Sequence, residues 1–157
     1  MKIRKRQEGQ TLIETAFVLF LLLLILLGIT EFSRAWYTKN SMKNAVRSGA
    51  RVAVVTPGIS PGTSVSYVSC GSPTCPFAGT PASIADIRAF VCCSPGVKPT
   101  TTSVSLTYTD DNSSGGLDRG DTILVSARTT FTFIVGNSPW PWGKEQTFTA
   151  DASMRYE

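Results

Sequence analysis

One run of apolar residues near the N-terminus constrains this chain more than any other feature. Gln10 to Thr30 reads QTLIETAFVLFLLLLILLGIT, 21 residues whose single charge is Glu14. About 20 consecutive apolar residues suffice to cross the hydrocarbon core of a bilayer as an α-helix. Lys2, Arg4, Lys5 and Arg6 precede the run and are opposed there only by Glu8. Such a basic cluster holds its end of the helix in the cytoplasm. The expected organisation is an N-terminus inside, one spanning helix, and everything after Glu31 outside the cytoplasm. A cleaved secretory signal fits poorly, because its apolar core is shorter and ends at a small-residue site. Gly28-Ile29-Thr30-Glu31-Phe32 is not such a site.

The balance of charge removes several classes of function. Setting aside residues 1–9 leaves 11 basic against 10 acidic residues, so the net +4 is a topology signal. A nucleic-acid partner would need a basic patch on the folded domain, and none is expected. The chain has no histidine, which removes the commonest general base and the commonest metal ligand. Gly115-Gly116 is not a phosphate loop, since neither lysine nor helix follows it. No enzymatic activity and no cofactor are expected.

Glu14 carries the sharpest information. A carboxylate inside a spanning helix costs a few kcal/mol near the bilayer centre and less near its edge, so it calls for a partner. Gly9, Gln10, Glu14 and the apolar helix that follows together resemble the prepilin signal of type IV pilins. The resemblance implies that a prepilin peptidase cuts between Gly9 and Gln10 on the cytoplasmic face and leaves the helix in the mature chain. It also implies that Glu14, then at the fifth position, neutralises the new N-terminal amine of a neighbouring subunit. Gln10 stands where that family usually carries Phe or Met. A narrower resemblance rests on three stretches, GQTLIETAFVL, GITEFSR and AVRSGARVAVV, which together look like the TadE-like family of Tad (Flp-type) pilus systems. That family resemblance implies a structural pilin or pseudopilin. Its partners would be the prepilin peptidase, other pilin subunits, the inner-membrane platform and the lipid bilayer. Its expected place is a bacterial inner membrane, spanned once, with the C-terminal domain periplasmic or extracellular. The implied divisions are a leader at 1–9, a transmembrane helix at 10–30 and an extracytoplasmic domain at 31–157. Two alternatives stay open: a type II secretion or type IVa pseudopilin, and a membrane-anchored extracytoplasmic binding module that never joins a filament.

The helix is expected to continue past the membrane. Between Glu31 and Val55 there is no proline and one glycine, Gly49. Ala35, Met42, Ala45 or Val46, Gly49 and Ala53 recur at helical spacing and should face a domain. Lys39, Lys43, Arg47 and Arg51 recur every fourth residue on the other side. Thr56-Pro57-Gly58 ends the helix, which would run about 70 Å from Gln10 at 1.5 Å per residue.

Residues 56–81 read as loop, with a short edge strand at Val65–Val68. A helix follows from about Pro81 to Cys93, with Ile84, Ile87, Phe90 and Val91 inward, stopped by Ser94-Pro95-Gly96. Three alternating segments then place Val104, Leu106 and Tyr108 on one face, as well as Ile123, Val125, Ala127, Thr129, Phe131 and Phe133. Phe148, Ala150, Ala152, Met154 and Tyr156 complete that face. The expected fold is α+β, the long helix and a short helix on a three- or four-stranded antiparallel sheet. Turns are expected at 110–121 and at 136–143. The second holds Trp140 and Trp142, which suit either an exposed contact or a buried plug. Asp110, Asp111, Asp118 and Asp121 lack EF-hand spacing and read as a solvated turn.

Cys70, Cys75, Cys92 and Cys93 form an even set in an exported chain, for which disulfides are the default. A bond between the adjacent Cys92 and Cys93 would be strained, leaving two crosslinks between the 70–75 loop and the helix end. Four thiolates also suit zinc, but a C-x4-C followed by an adjacent pair is poor zinc spacing. Thiol titration of the exported chain under denaturing conditions should find no free thiol; four would remove the disulfide reading.

Overall fold

Secondary structure follows the sequence periodicities closely. The computed structural model describes residues 5–56, 64–71, 83–111, 113, 115, 118–134 and 145–156. A single long helix, α1 (Lys5–Val55), opens the chain. Strand β1 (Ser64–Ser69), helix α2 (Ile84–Cys92) and a short 3-10 turn (Pro99–Thr101) follow. Strands β2 (Thr102–Thr109), β3 (Thr122–Thr132) and β4 (Glu145–Arg155) complete it. The chain divides into two units, Met1–Ala35 and Trp36–Glu157.

In the first unit, every side chain from Gly9 to Thr30 is exposed. Phe17 is 74% exposed and Leu24 54%, so the run is no core helix of a soluble domain. It is the one described helix long and apolar enough to cross a membrane. Its hydroxyls are satisfied internally. Thr15 Oγ1 donates to the Thr11 carbonyl at 2.8 Å, Thr30 Oγ1 to Leu27 at 2.8 Å and Ser33 Oγ to Ile29 at 2.8 Å. Such back-bonding suits a segment surrounded by hydrocarbon, where an unsatisfied polar group is costly.

The second unit is a helix-on-sheet sandwich. Its sheet is an antiparallel meander in the order β1-β2-β3-β4, so the short edge strand makes four strands. The register pairs inward residues with inward residues. Leu106 lies opposite Val125 and Tyr108 opposite Ile123, while Ala127 opposes Ala150 and Val125 opposes Ala152. Thr129, also inward, is 3% exposed and accepts a hydrogen bond from Thr102 Oγ1 at 3.0 Å. Pairing with another hydroxyl is what admits a threonine to an otherwise apolar face.

Helix α2 begins at Ser83, whose Oγ accepts from the Asp86 N–H at 3.3 Å and donates to Asp86 Oδ2 at 2.8 Å. This capping satisfies one of the unpaired first-turn donors. Ile87 and Val91 are fully buried and Ile84 packs beside them; burying each such side chain contributes roughly 1.5–3 kcal/mol. The exit turn reverses at Gly96, φ 81°, where a Cβ would lie 2.4 Å from Ser41 Oγ. Only glycine admits both that backbone and that closeness.

From Met42 onward α1 supplies the other wall. Met42, Ala45, Val46, Ala50 and Ala53 are at most 2% exposed. Gly49 is buried between Ala45 and Ala53, and a Cβ added there would stand 2.3 Å from Val91 Cγ2 and 3.9 Å from Val125 Cγ1. The helix ends at Thr56, 2% exposed, whose Oγ1 returns to the Val52 carbonyl at 2.8 Å. The expected loops at 57–63, 72–82 and 135–144, including Trp140 and Trp142, lie outside the described residues.

Gly49→Ala is a sharp test of this packing. Alanine is the better helix former by about 1 kcal/mol, yet overpacking against Val91 should win and destabilise by roughly 1–3 kcal/mol. Denaturant unfolding of the full chain in detergent measures it. Adding Val91→Ala should recover part of the loss relative to Val91→Ala alone; a stabilised Gly49→Ala would refute the close contact.

Candidate functional site

The residues singled out from sequence fall into three places. Gly9, Gln10 and Glu14 lie on the exposed first part of α1, with open space around the Gly9 Cα. Among the described residues Glu14 forms no ion pair. Its neighbours Ile13, Phe17 and Val18 are 68%, 74% and 63% exposed, so the carboxylate sits on an apolar surface. Farther along, Glu31 is 9% exposed and accepts from Arg34 Nη1 at 3.1 Å, one helical turn on. A carboxylate beyond the apolar run thus has a cation of its own at i+3, unlike Glu14.

The second place is the cystine framework. Cys70 and Cys92 are bonded, with Cα atoms 5.8 Å apart, both buried. The bond ties the end of β1 to the last residue of α2 across a separation of 22 residues. Closing a loop of that size contributes roughly 3 kcal/mol on a chain-entropy account. The Cys70 N–H also reaches the Thr102 carbonyl at 2.9 Å, extending the β1–β2 pairing to the bridge. Cys93 is disulfide-bonded as well, and Cys75 lies outside the described residues. The zinc alternative has no support in Cys70 and Cys92, whose sulfurs are spent on each other.

The third place corrects an expectation. The aspartates at the β2–β3 turn do not form a uniformly solvated turn, because Asp121 is fully buried. It lies on the inward parity of Ile123, Val125 and Ala127, and the alternation of β3 carried back by two residues was the signal that could have found it. Its carboxylate accepts from the Tyr108 hydroxyl, from the Asp118 N–H at 2.9 Å and from the Asp111 N–H at 3.2 Å. The loop's other carboxylates serve it too. Asp110 Oδ2 accepts from the Gly115 N–H at 3.0 Å and Asp111 Oδ2 from Thr122 Oγ1 at 2.8 Å. No group of three or more acidic or cysteine side chains among the described residues is arranged to hold a metal ion. Asp121 therefore anchors a turn, a use for which its lone pairs are already committed.

The electrostatics of the pair follow from this geometry. The Asp118 N–H, then the Tyr108 hydroxyl, hold the Asp121 carboxyl below the ordinary carboxylate range against the opposing effect of burial. Burial first, and the bond to Asp121 second, push the Tyr108 phenol well above its usual value. A lowered carboxyl stabilises the fold above its unfolded pKa of about 3.9, and that contribution disappears as pH falls through the lower folded value. The raised phenol acts on the other side: its contribution is complete below about pH 10 and is lost as the pH climbs past it.

Tyr108→Phe should cost about 1.5–3 kcal/mol, the usual range for a hydrogen bond to a charged group. Asp121→Asn should be less stable than wild type at pH 7 and should flatten the acid limb below about pH 4. Urea unfolding at pH 7 and pH 3 checks both. An unchanged acid limb in Asp121→Asn would show that Asp121 is not ionised in the fold.

No curated protein and no solved structure matches the chain. Its N-terminal span does find a counterpart: residues 9–51, from Gly9 through the apolar helix to Arg51, match the family model described as TadE-like protein.

Proposed function

We propose that this chain is a pilin-like structural subunit of a Tad-type pilus assembly and secretion system, performing no catalysis of its own. In this reading a prepilin peptidase cuts between Gly9 and Gln10. The apolar helix stays in the mature chain and holds it in the inner membrane, N-terminus cytoplasmic and the 31–157 domain exported, until it is withdrawn into an assembly. Its partners are other pilin-like subunits and the membrane platform.

One observation carries the proposal: the wholly exposed apolar run from Gln10 to Thr30 bears a single carboxylate, Glu14, five residues after Gly9, which forms no ion pair among the described residues. A lone ionised carboxylate in hydrocarbon costs several kcal/mol unless it meets an opposite charge. A new amine on Gln10 of a neighbouring subunit supplies that charge and rewards one axial register between adjacent helices. The exposed side chains from Leu12 to Ile29 provide the rest of the contact surface, in lipid before assembly and among subunit helices afterwards. The TadE-like match supports association with pilus components, and the buried cystine suits an oxidising compartment.

Mass spectrometry of the chain from a host carrying the peptidase should find a mature Gln10 start. An intact Met1, or a start after Thr30, would overturn the proposal. Glu14→Gln should leave that cleavage in place while lowering incorporation into the sheared pilus fraction at least about tenfold, as loss of a buried charge pair worth more than 1.4 kcal/mol requires. Unchanged incorporation would remove the role assigned to Glu14.

A further inference from the structure

Four cations on the exposed side of α1 are used by nothing described so far. Lys39, Lys43, Arg47 and Arg51 are all exposed. Each step of four residues advances about 6 Å, so the ridge from Lys39 to Arg51 is about 18 Å long. No acidic residue occurs between Trp36 and Val55, and among the described residues none of the four forms an ion pair. Like charges at i and i+4 destabilise a helix, and this ridge contains that spacing throughout. Among the described residues no carboxylate pairs with the ridge to offset that repulsion.

The opposite charge lies elsewhere on the domain. Residues 56–157 carry six basic and eight acidic side chains, so the +4 ridge belongs to a unit whose remainder is negative. Between Thr109 and Thr122 stand four aspartates against Arg119, and Arg155 reaches the same turn by donating from Nε to the Gly120 carbonyl at 2.9 Å, which leaves the turn net negative. Asp111 is exposed and Asp110 and Asp118 are half-buried. Asp111 and Asp118 are held in place, because the backbone N–H groups of both bond to the buried Asp121 carboxylate. A charged surface ordered in advance loses less entropy on docking.

We propose that the Lys39–Arg51 ridge docks on the acidic β2–β3 turn of a second copy of this chain, head to tail. Joined head to tail, such a contact is heterologous and runs on from copy to copy, as a ring or an open filament. The inference rests on the pilin-like reading and deepens it by naming a contact between exported domains. An anionic lipid surface is the rival partner.

The test places a photocrosslinking residue at Asn44, exposed beside Lys43, in the full chain expressed in a host with its assembly machinery. The expected result is a crosslink between copies that joins the 44-containing peptide to one spanning 110–119. Raising the ionic strength before irradiation from about 0.1 to 1 M, which shortens the Debye length from about 10 to 3 Å, should lower its yield in the wild-type protein. The charge reversal Lys43→Glu with Arg47→Glu should lower it roughly tenfold, as should Asp111→Lys with Asp118→Lys, and the four changes together should restore it. Crosslinks to lipid alone, to a different protein alone, or between copies but indifferent to salt and charge reversal would each overturn the proposal. The N-terminus is read from the same samples. A Gln10 start without the ridge-to-turn crosslink refutes this contact and leaves the pilin-like reading standing. A Met1 start refutes that reading whether or not the crosslink forms.

Discussion

The approach of α1 to α2 at Gly49 is the contact on which the 36–157 unit depends. With a Cβ at that position overlapping Val91 Cγ2, no other residue lets the two helices lie so close over the sheet. Closeness in turn decides what the rest of the face can be. Ala45, Ala50 and Ala53 are buried beside it, and Ile87 and Val91 join the same buried cluster as the inward residues of β2 and β3. Protein interiors pack at crystal density, so the small residues of α1 and the larger ones of α2 are one solution to a single volume constraint. The cystine at Cys70–Cys92 then secures the end of α2 to the sheet edge, where packing alone is thinnest.

One helix carries two kinds of surface. From Gly9 to Thr30, α1 shows its apolar side chains outward on every side and back-bonds its hydroxyls, a surface suited to hydrocarbon. From Met42 it follows the rule for a water-soluble domain, one face buried and one charged. Glu14 is the exception within the first stretch, and an exception of that energetic size in an otherwise uniform surface is where a function is to be sought. The basic ridge is its counterpart in the second stretch, a set of exposed charges with no ion pair among the described residues.

The β2–β3 turn shows how a buried charge can serve order instead of chemistry. Asp121 is desolvated at a cost, and three donors offset it. Truncating any one would leave a buried acceptor short, which is why such networks specify a single loop conformation. The same carboxylate that would suggest a metal site or a catalytic acid by burial alone is fully engaged with its own loop.

Much of this was legible in the sequence because it depends on local pattern. An uninterrupted apolar run, period-two alternation in β2, β3 and β4, a four-residue basic repeat and small residues at helical spacing each reflect a geometry that one chain segment imposes on itself. They were enough for the long apolar helix, for the inward faces of all three strands and for the α+β class. What needed tertiary structure involves residues far apart in the chain. That Asp121 is buried follows from its parity, but that it is tolerated there depends on Tyr108 arriving across the register with a hydroxyl. That Thr129 can face the core depends on Thr102 beside it, and that position 49 must be glycine depends on Val91, 42 residues on. Periodicity states which way a side chain points; only the folded chain decides what it meets, because burial, hydrogen bonding and volume are properties of pairs.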